Sequence, residues 1–424
     1  MPVPATAPWR AGAMPGRRID RKRPEGRRRA AARTSRSQGT AWCLRVRHGA
    51  GRFVPGRTRA VAAVGQVRDW HDGSHGDEPP VPGTGHLSTL TPIHLPGRAM
   101  RVLTLLLCCL IPLSACAQDA RFTPDPDAAR LVTEDLDRFW AAWDAAAAVD
   151  GTEARSAVFQ AQYLDAGSPG LEAFARLRIG DGAKLLKAID KHPRYYASLR
   201  ARTAALAAEL PDIRETLGRM KVLYPEAVFP DVYFLMGRMN SGGTLDRTGL
   251  LIGVDMFGGG PGAPLEELGD WHRAVVGESG NLPVIVAHEW VHFQQLSDTG
   301  SQPTLLQAAI GEGVADFIAE LGAGRHLNDH VHAWAEPRAA TLWTEFRGRM
   351  NGTDYAGWLY DAGEGGTDGR PADLGYWMGY RIASGYYARA ADKTAAIREM
   401  LRIDDFDAFL KASGVPEEFE GRGG

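Results

Sequence analysis

Two histidines and a glutamate stand together in Ala287-His288-Glu289-Trp290-Val291-His292-Phe293-Gln294-Gln295. On a helix, residues four apart leave the same face one turn apart, so the imidazoles of His288 and His292 can share one ion. That is the spacing of two ligands in a tetrahedral Zn²⁺ site. Glu289 follows the first histidine and points beside the metal, where it can take a proton from an attacking water as general base. The run Asn281-Leu-Pro-Val-Ile-Val-Ala supplies the approach. Asn281 is expected to cap the helix, Pro283 fits its first turn, and the apolar residues bury it. The bland alternative is a chance match on an ordinary surface helix.

A catalytic zinc site needs a third protein ligand and one open position. The metzincin pattern would place a glycine and then a histidine shortly downstream, but Gln295 and Asp298 stand there. Further on, Leu305 to Glu320 has apolar residues at helical spacing and carries Glu312 and Asp316. The first helix can stop near Gly300 and the second can start at Pro303. Two helices joined by so short a loop pack antiparallel, which returns Glu312 to the histidine face. Gly311 and Gly313 flank Glu312, an arrangement that suits close approach of two backbones. Asp316, one turn on, is placed to accept the outer N–H of a ligating histidine and fix its tautomer. A solvated acidic face is the competing reading of both carboxylates.

His288-Glu289-x-x-His292 followed by Glu312-x-x-x-Asp316 resembles the gluzincin, thermolysin-like metallopeptidases. More closely, the chain resembles bacterial lipoproteins described only as predicted zinc-dependent proteases, and distantly the gliding-motility lipoprotein B-like family. Further shared pieces are Tyr224-Pro-Glu-Ala-Val-Phe-Pro-Asp-Val-Tyr-Phe and Gly375-Tyr-Trp-Met-Gly-Tyr-Arg-Ile. The resemblance spans roughly residues 120 to 415. It implies an α+β, mainly helical zincin-like domain with a small antiparallel sheet over the zinc-binding helix. It also implies Zn²⁺ as cofactor and a peptide or protein as substrate. A tyrosine or histidine donor to the oxyanion is usual in this group. Tyr380 is the candidate here, with Tyr376 in reserve on the same helical face. The resemblance further implies that one strand and the Asn240-Ser-Gly-Gly loop border the cleft, holding an extended substrate by backbone pairing.

The composition is that of a soluble globular chain, with 44% hydrophobic and 24% charged residues. The net charge of −2 hides an asymmetry. Residues 1–99 hold 18 Lys+Arg against 6 Asp+Glu, leaving 31 against 45 for the remainder. The basic start is rich in Arg, Gly and Pro and lacks sustained periodicity, so it cannot bury a core. No nucleic-acid partner is expected from it.

Met100 opens a short positive start, an apolar run and small residues ending at Ala117, the layout of a secretory signal peptide. The expectation is a translation start at Met100, with residues 1–99 an over-extended frame. An internal signal-anchor behind a basic tail is the alternative. Leu113-Ser-Ala-Cys116 resembles a bacterial lipobox, so a lipid anchor at Cys116 on a cell-envelope lipoprotein is expected. Cleavage after Ala117 would instead give a secreted or periplasmic protein. The four cysteines lie at 43, 108, 109 and 116, which leaves no disulfide for the exported part.

The expected division is 100–117 signal, 118–223 helical lobe and 224–415 catalytic region. In the lobe, helices are expected around Leu131–Ala148 and from Thr152, Gly170, Pro193 and Asp212. Trp140 and Trp143 read as core. Asp231–Arg238 and Leu250–Met256 read as strands around a Ser241-Gly-Gly-Thr turn. Phe257-Gly-Gly-Gly-Pro-Gly lacks the Lys-Ser/Thr of a phosphate loop and reads as flexible loop. His326, His330 and His332 read as surface histidines more readily than a second metal patch. Helices are expected at Thr341–Met350, from Leu374 with Asp373 as cap, and at 394–402 and 405–413. The Gly/Asp-rich stretch between residues 351 and 373 reads as a loop. Arg381 either orients a substrate carboxylate or pairs with an acid. The rival to a peptidase is an envelope lipoprotein using the zincin-like fold as scaffold or binding module. The oligomeric state is not legible.

Overall fold

The computed structural model describes residues 122–277, 279–296, 302–360 and 369–420. The basic start, the signal-like run with Cys116, Gly300 and residues 361–368 lie outside the described residues.

The chain begins with β1 (Phe122–Thr123), β2 (Leu131–Val132) and α1 (Glu134–Ala147). Five helices follow: α2 (Thr152–Phe159), α3 (Pro169–Phe174), α4 (Gly182–Lys191), α5 (Pro193–Ala205) and α6 (Leu210–Leu223). Then come β3 (Phe229–Pro230), β4 (Val232–Leu235), β5 (Gly243–Asp246) and β6 (Gly249–Gly253). The site-bearing region holds α7 (Asp270–Val275), α8 (Leu282–Gln294), α9 (Leu305–Ala323), α10 (Asp329–Ala335) and α11 (Ala339–Arg349). The end is α12 (Leu374–Arg389), α13 (Lys393–Met400), α14 (Phe406–Ser413) and α15 (Val415–Glu420).

The mainly helical α+β class stands, with two corrections of detail. The lobe before residue 223 is not all-helical, because its first residues supply β1 and β2. β1 pairs antiparallel with β3, and β2 pairs parallel with β4. The second correction concerns the sheet over the zinc-type helix. It is mixed, in the order β2-β4-β6-β5. β4 and β6 run parallel, and β5 pairs antiparallel with β6 at the edge. The expected turn at 241–244 runs into β5, which begins at Gly243. The reversal falls at Arg247-Thr248, where the Asp246 carboxylate accepts from Thr248 N and Oγ1. β4 and β6 are buried along their whole length, as strands covered on both faces must be. α3 packs against one side of these strands and α8 against the other.

Behind the sheet the layers run α8, α9, α12. Trp140 and Trp143 are half-buried and pack against Phe139 of the lobe core. Trp343 and Phe346 of α11 are buried. Among the described residues no helix is long and apolar enough to cross a membrane.

Candidate metal centre

α8 is apolar nearly all round, the pattern of a helix buried on every side. Asn281 stands at its N-cap position but makes no side-chain cap. Its backbone is already helical (φ −87°, ψ −6°), because a 3₁₀ turn at Ser279–Asn281 leads directly into the helix. Pro283 occupies the first turn as expected. The rotation of α8 is locked from the sheet side. Trp290 Nε1 and Gln294 Nε2 both donate to Val228 O, at 3.0 and 2.8 Å. The indole stacks on Phe229. The opposite face, with His288 and His292, is thereby turned to α9.

α9 starts at Leu305 on a capping box. Thr304 Oγ1 accepts from Gln307 N, and Gln307 Oε1 accepts from Thr304 N. It ends at Gly324 in the left-handed region (φ +68°). Glu312 and Asp316 both lie on its buried side. Gly313 lets α12 come in behind them. A Cβ there would sit 1.9 Å from the carbonyl carbon of Gly379. Gly311 plays no such part, since a Cβ on it would meet nothing within 4 Å.

Three donor atoms converge. His292 Nε2 lies 3.0 Å from His288 Nε2 and 3.1 Å from Glu312 Oε2, and His288 Nε2 lies 3.5 Å from the same oxygen. The outer nitrogens fix what these atoms can be. His288 Nδ1 donates to Asp316 Oδ1 at 2.8 Å, and His292 Nδ1 donates to Gln295 Oε1 at 2.8 Å. Each ring, when neutral, therefore turns a lone pair inward at Nε2. Asp316 is held in turn by Asn328 Nδ2 at 2.6 Å, and Gln295 by Gly311 O at 2.9 Å. Two imidazole lone pairs and a carboxylate oxygen at such distances require positive charge between them. All three residues are nearly closed to solvent.

The electrostatics say the same. Burial opposes charge on His288, but Asp316 and Glu312 outweigh it and push its pKa up to about 10. His292 is likewise opposed by burial and raised by Glu312. Glu312 would be raised by burial, yet the two imidazoles hold it well below the usual carboxylate range. A divalent cation satisfies this donor set, and two histidines with one carboxylate is a catalytic zinc set. Among the described residues this is the one His/Cys/Asp/Glu group whose ligand atoms all come within 4.8 Å of one another.

Glu289 is not among the donors. Its Oε2 is buried with no hydrogen-bond partner in the protein, and burial raises its pKa against the pull of His288 and His292. The backbone of β5 lies directly on it, since a Cβ at Gly243 would sit 2.2 Å from Glu289 Oε1. The edge strand and Glu289 thus share one wall of the site.

The tyrosines divide. Tyr376 stacks beside His288, with ring centroids 6.3 Å apart. Tyr380 is not brought to the donors. Its hydroxyl donates to Glu320 at 2.7 Å, and its ring lies against His326 and His332, which meet edge to face. Tyr360, which sequence reasoning did not select, donates its hydroxyl to Glu312 Oε1 at 2.7 Å. Gln295 was also missed, although an amide one turn beyond a candidate ligand histidine was a readable signal. Asp373 stands at the N-cap position of α12 without capping it by its side chain. Its backbone is left-handed, and its carboxylate accepts from Tyr360 N instead. Arg381 pairs with Glu336 and Glu418.

Residues 276–405, or 130 of 424, match the model of a family described as predicted Zn-dependent protease (DUF2268). No curated protein and no solved structure matches the chain. The matched segment contains every donor of the site, together with Glu289, Tyr360 and Tyr376.

Proposed function

We propose that the chain is a zinc-dependent peptidase of gluzincin type. His288, His292 and Glu312 hold the metal and Glu289 is the general base. The observation that carries this is the convergence of three inward lone pairs whose outer partners are already committed to Asp316, Gln295 and Tyr360. Zn²⁺ bound there supplies a Lewis acid that polarises a carbonyl oxygen and lowers the pKa of water toward about 7. Glu289 takes the proton of the attacking water and delivers it to the leaving amine. Its pKa, raised by burial, suits that shuttle, because a less acidic carboxyl holds the accepted proton more firmly before handing it on. An extended peptide lies along the outer edge of β5, held by backbone pairing. The contact of Gly243 with Glu289 supports that course.

The test is metal content with digestion of a peptide library. One zinc per chain is expected, with cleavage abolished by a chelator and restored by added zinc. Firmly held zinc with no cleavage of any peptide would replace this reading by a scaffold protein.

Tyr376 is assigned as donor to the developing oxyanion. Burial first, and then Glu312, keep its hydroxyl protonated far above neutral pH. Removing one such donor costs about 10²-fold in kcat. Tyr376→Phe is therefore expected to lose that much, and Tyr380→Phe to stay near wild type, because its partner is Glu320. Steady-state rates showing the reverse order would return the role to Tyr380.

A further inference from the structure

Glu312 uses its two oxygens differently. Oε2 faces the imidazole nitrogens, at 3.1 Å from His292 and 3.5 Å from His288. Oε1 is taken by the Tyr360 hydroxyl at 2.7 Å. A carboxylate can offer a cation one oxygen or both, and the choice decides how many coordination positions remain. A hydroxyl donating to one oxygen competes directly for the lone pairs that the second mode would use.

The backbone that presents this hydroxyl is itself held in an unusual state. Tyr360 has φ +62° and Asp373 has φ +64°, both in the left-handed region that residues other than glycine rarely adopt. The two are joined, for Tyr360 N donates to Asp373 Oδ1 at 2.8 Å. A second tie lies beside the first, from Gly375 N to Trp358 O at 2.7 Å. Gly375 is needed for that approach, since a Cβ there would lie 2.6 Å from Leu359 Cγ and 2.9 Å from Trp358 O. The clasp joins the turn carrying Tyr360 to the start of α12, the helix packed against α9. Hydroxyl and ligand are thus fixed to the same pair of helices.

We propose that Tyr360 is a positioning residue that makes Glu312 a one-oxygen ligand and so keeps a coordination position open for substrate. The inference rests on the zinc reading of the site. It assigns Tyr360 no contact with the reacting atoms; the tyrosine acts through Glu312, and the Asp373 clasp acts through the tyrosine.

The test uses the full chain loaded with Co²⁺, whose visible absorption is strong in four-coordinate sites and weakens when a further ligand is added. Wild type is expected to show the strong spectrum. Tyr360→Phe frees Oε1, so its absorption should weaken while the metal stays bound against a competing chelator. On zinc-loaded protein kcat should fall about 10–100-fold, the usual effect of losing a partner of a ligand, with KM much less affected. Asp373→Ala keeps the phenol but removes its clasp, and should move the spectrum the same way. Asp373→Asn retains an acceptor and tolerates the left-handed backbone, so it should restore the wild-type spectrum. If Tyr360→Phe does not fold, the Asp373 pair decides alone. An unchanged Co²⁺ spectrum in both Tyr360→Phe and Asp373→Ala, with or without weaker metal retention, would leave the tyrosine a plain structural support and overturn the inference. A wild-type chain that takes up no Co²⁺ overturns the metal centre itself, which is a separate and visible outcome.

Discussion

Glu289→Gln is expected to stop turnover while leaving the metal in place. The side chain is 6% exposed and lies under the backbone of Gly243, so an isosteric amide fits where the carboxylate stood. It is not one of the three donors, and no ligand leans on it through a hydrogen bond. Metal retention should therefore match wild type. The loss falls on proton transfer. A general base contributes about 10²–10⁴-fold, and an amide cannot take the proton at all, so a drop of roughly 10³-fold or more in kcat is expected. Stability should not suffer. Burial raises the folded pKa of Glu289 above its unfolded value, so the native state binds the proton more tightly than the unfolded chain. Above the unfolded pKa of about 4.3, the ionised carboxylate then costs stability that the neutral amide does not. The variant should melt no lower than wild type in the absence of metal. The same sign predicts an acid limb in the rate profile, because Glu289 accepts a proton only when ionised. Metal content, melting midpoint and kcat on one preparation decide the matter. Wild-type turnover in a fully loaded Glu289→Gln chain would remove Glu289 from the proton path.

How far this site could be read from the sequence follows from what helical periodicity carries. His288, His292, Glu312 and Asp316 were legible because each pair is one turn apart on a helix, and a short connection brings the two helices side by side. The same periodicity could not separate Tyr380 from Tyr376. Tyr376 and Tyr380 share a face, but four residues are about 6 Å of rise. α12 crosses α9 with Gly379 against Gly313, so Tyr376 falls beside the donors and Tyr380 falls past them, on Glu320. Tyr360 was illegible for another reason. It sits inside a Gly/Asp-rich stretch, and no local pattern announces a tyrosine with positive φ. The sheet misled through glycine. Gly242 and Gly243 read as a turn, yet Gly243 begins β5, where the requirement is space for Glu289. The parallel pairing of β4 with β6 is a tertiary choice: β6 inserts between β4 and β5, the strand that precedes it in the chain, and strand propensity says nothing about that order.

Gly313→Ala and Gly311→Ala, two residues apart on one helix, are expected to move stability in opposite directions. A Cβ at Gly313 would stand 1.9 Å from Gly379 C and 2.1 Å from Tyr380 N. The contact is reciprocal, for a Cβ at Gly379 would stand 1.7 Å from Ala309 O. These neighbours are backbone, so no side chain can swing aside, and α9 and α12 must part. Overpacking a core usually costs about 1–3 kcal/mol, and a clash against rigid backbone belongs at or above the top of that range. For a chain of this size roughly 3 kcal/mol lowers the melting midpoint by about 5 °C. Separation also carries Glu312 away from His288 and His292, whose donor atoms now lie within 3.5 Å of Oε2. Zinc should then restore less of the lost stability than it adds to wild type. Gly311 faces open space, and its carbonyl can still accept from Gln295. Alanine there removes only the conformational freedom of glycine in the unfolded chain, which is worth about 0.5–1 kcal/mol in favour of the fold. Melting curves of the three proteins, each with chelator and with zinc, read both effects. A Gly313→Ala chain that melts with wild type would mean the two helices do not meet backbone to backbone, and the placement of Glu312 would lose its support.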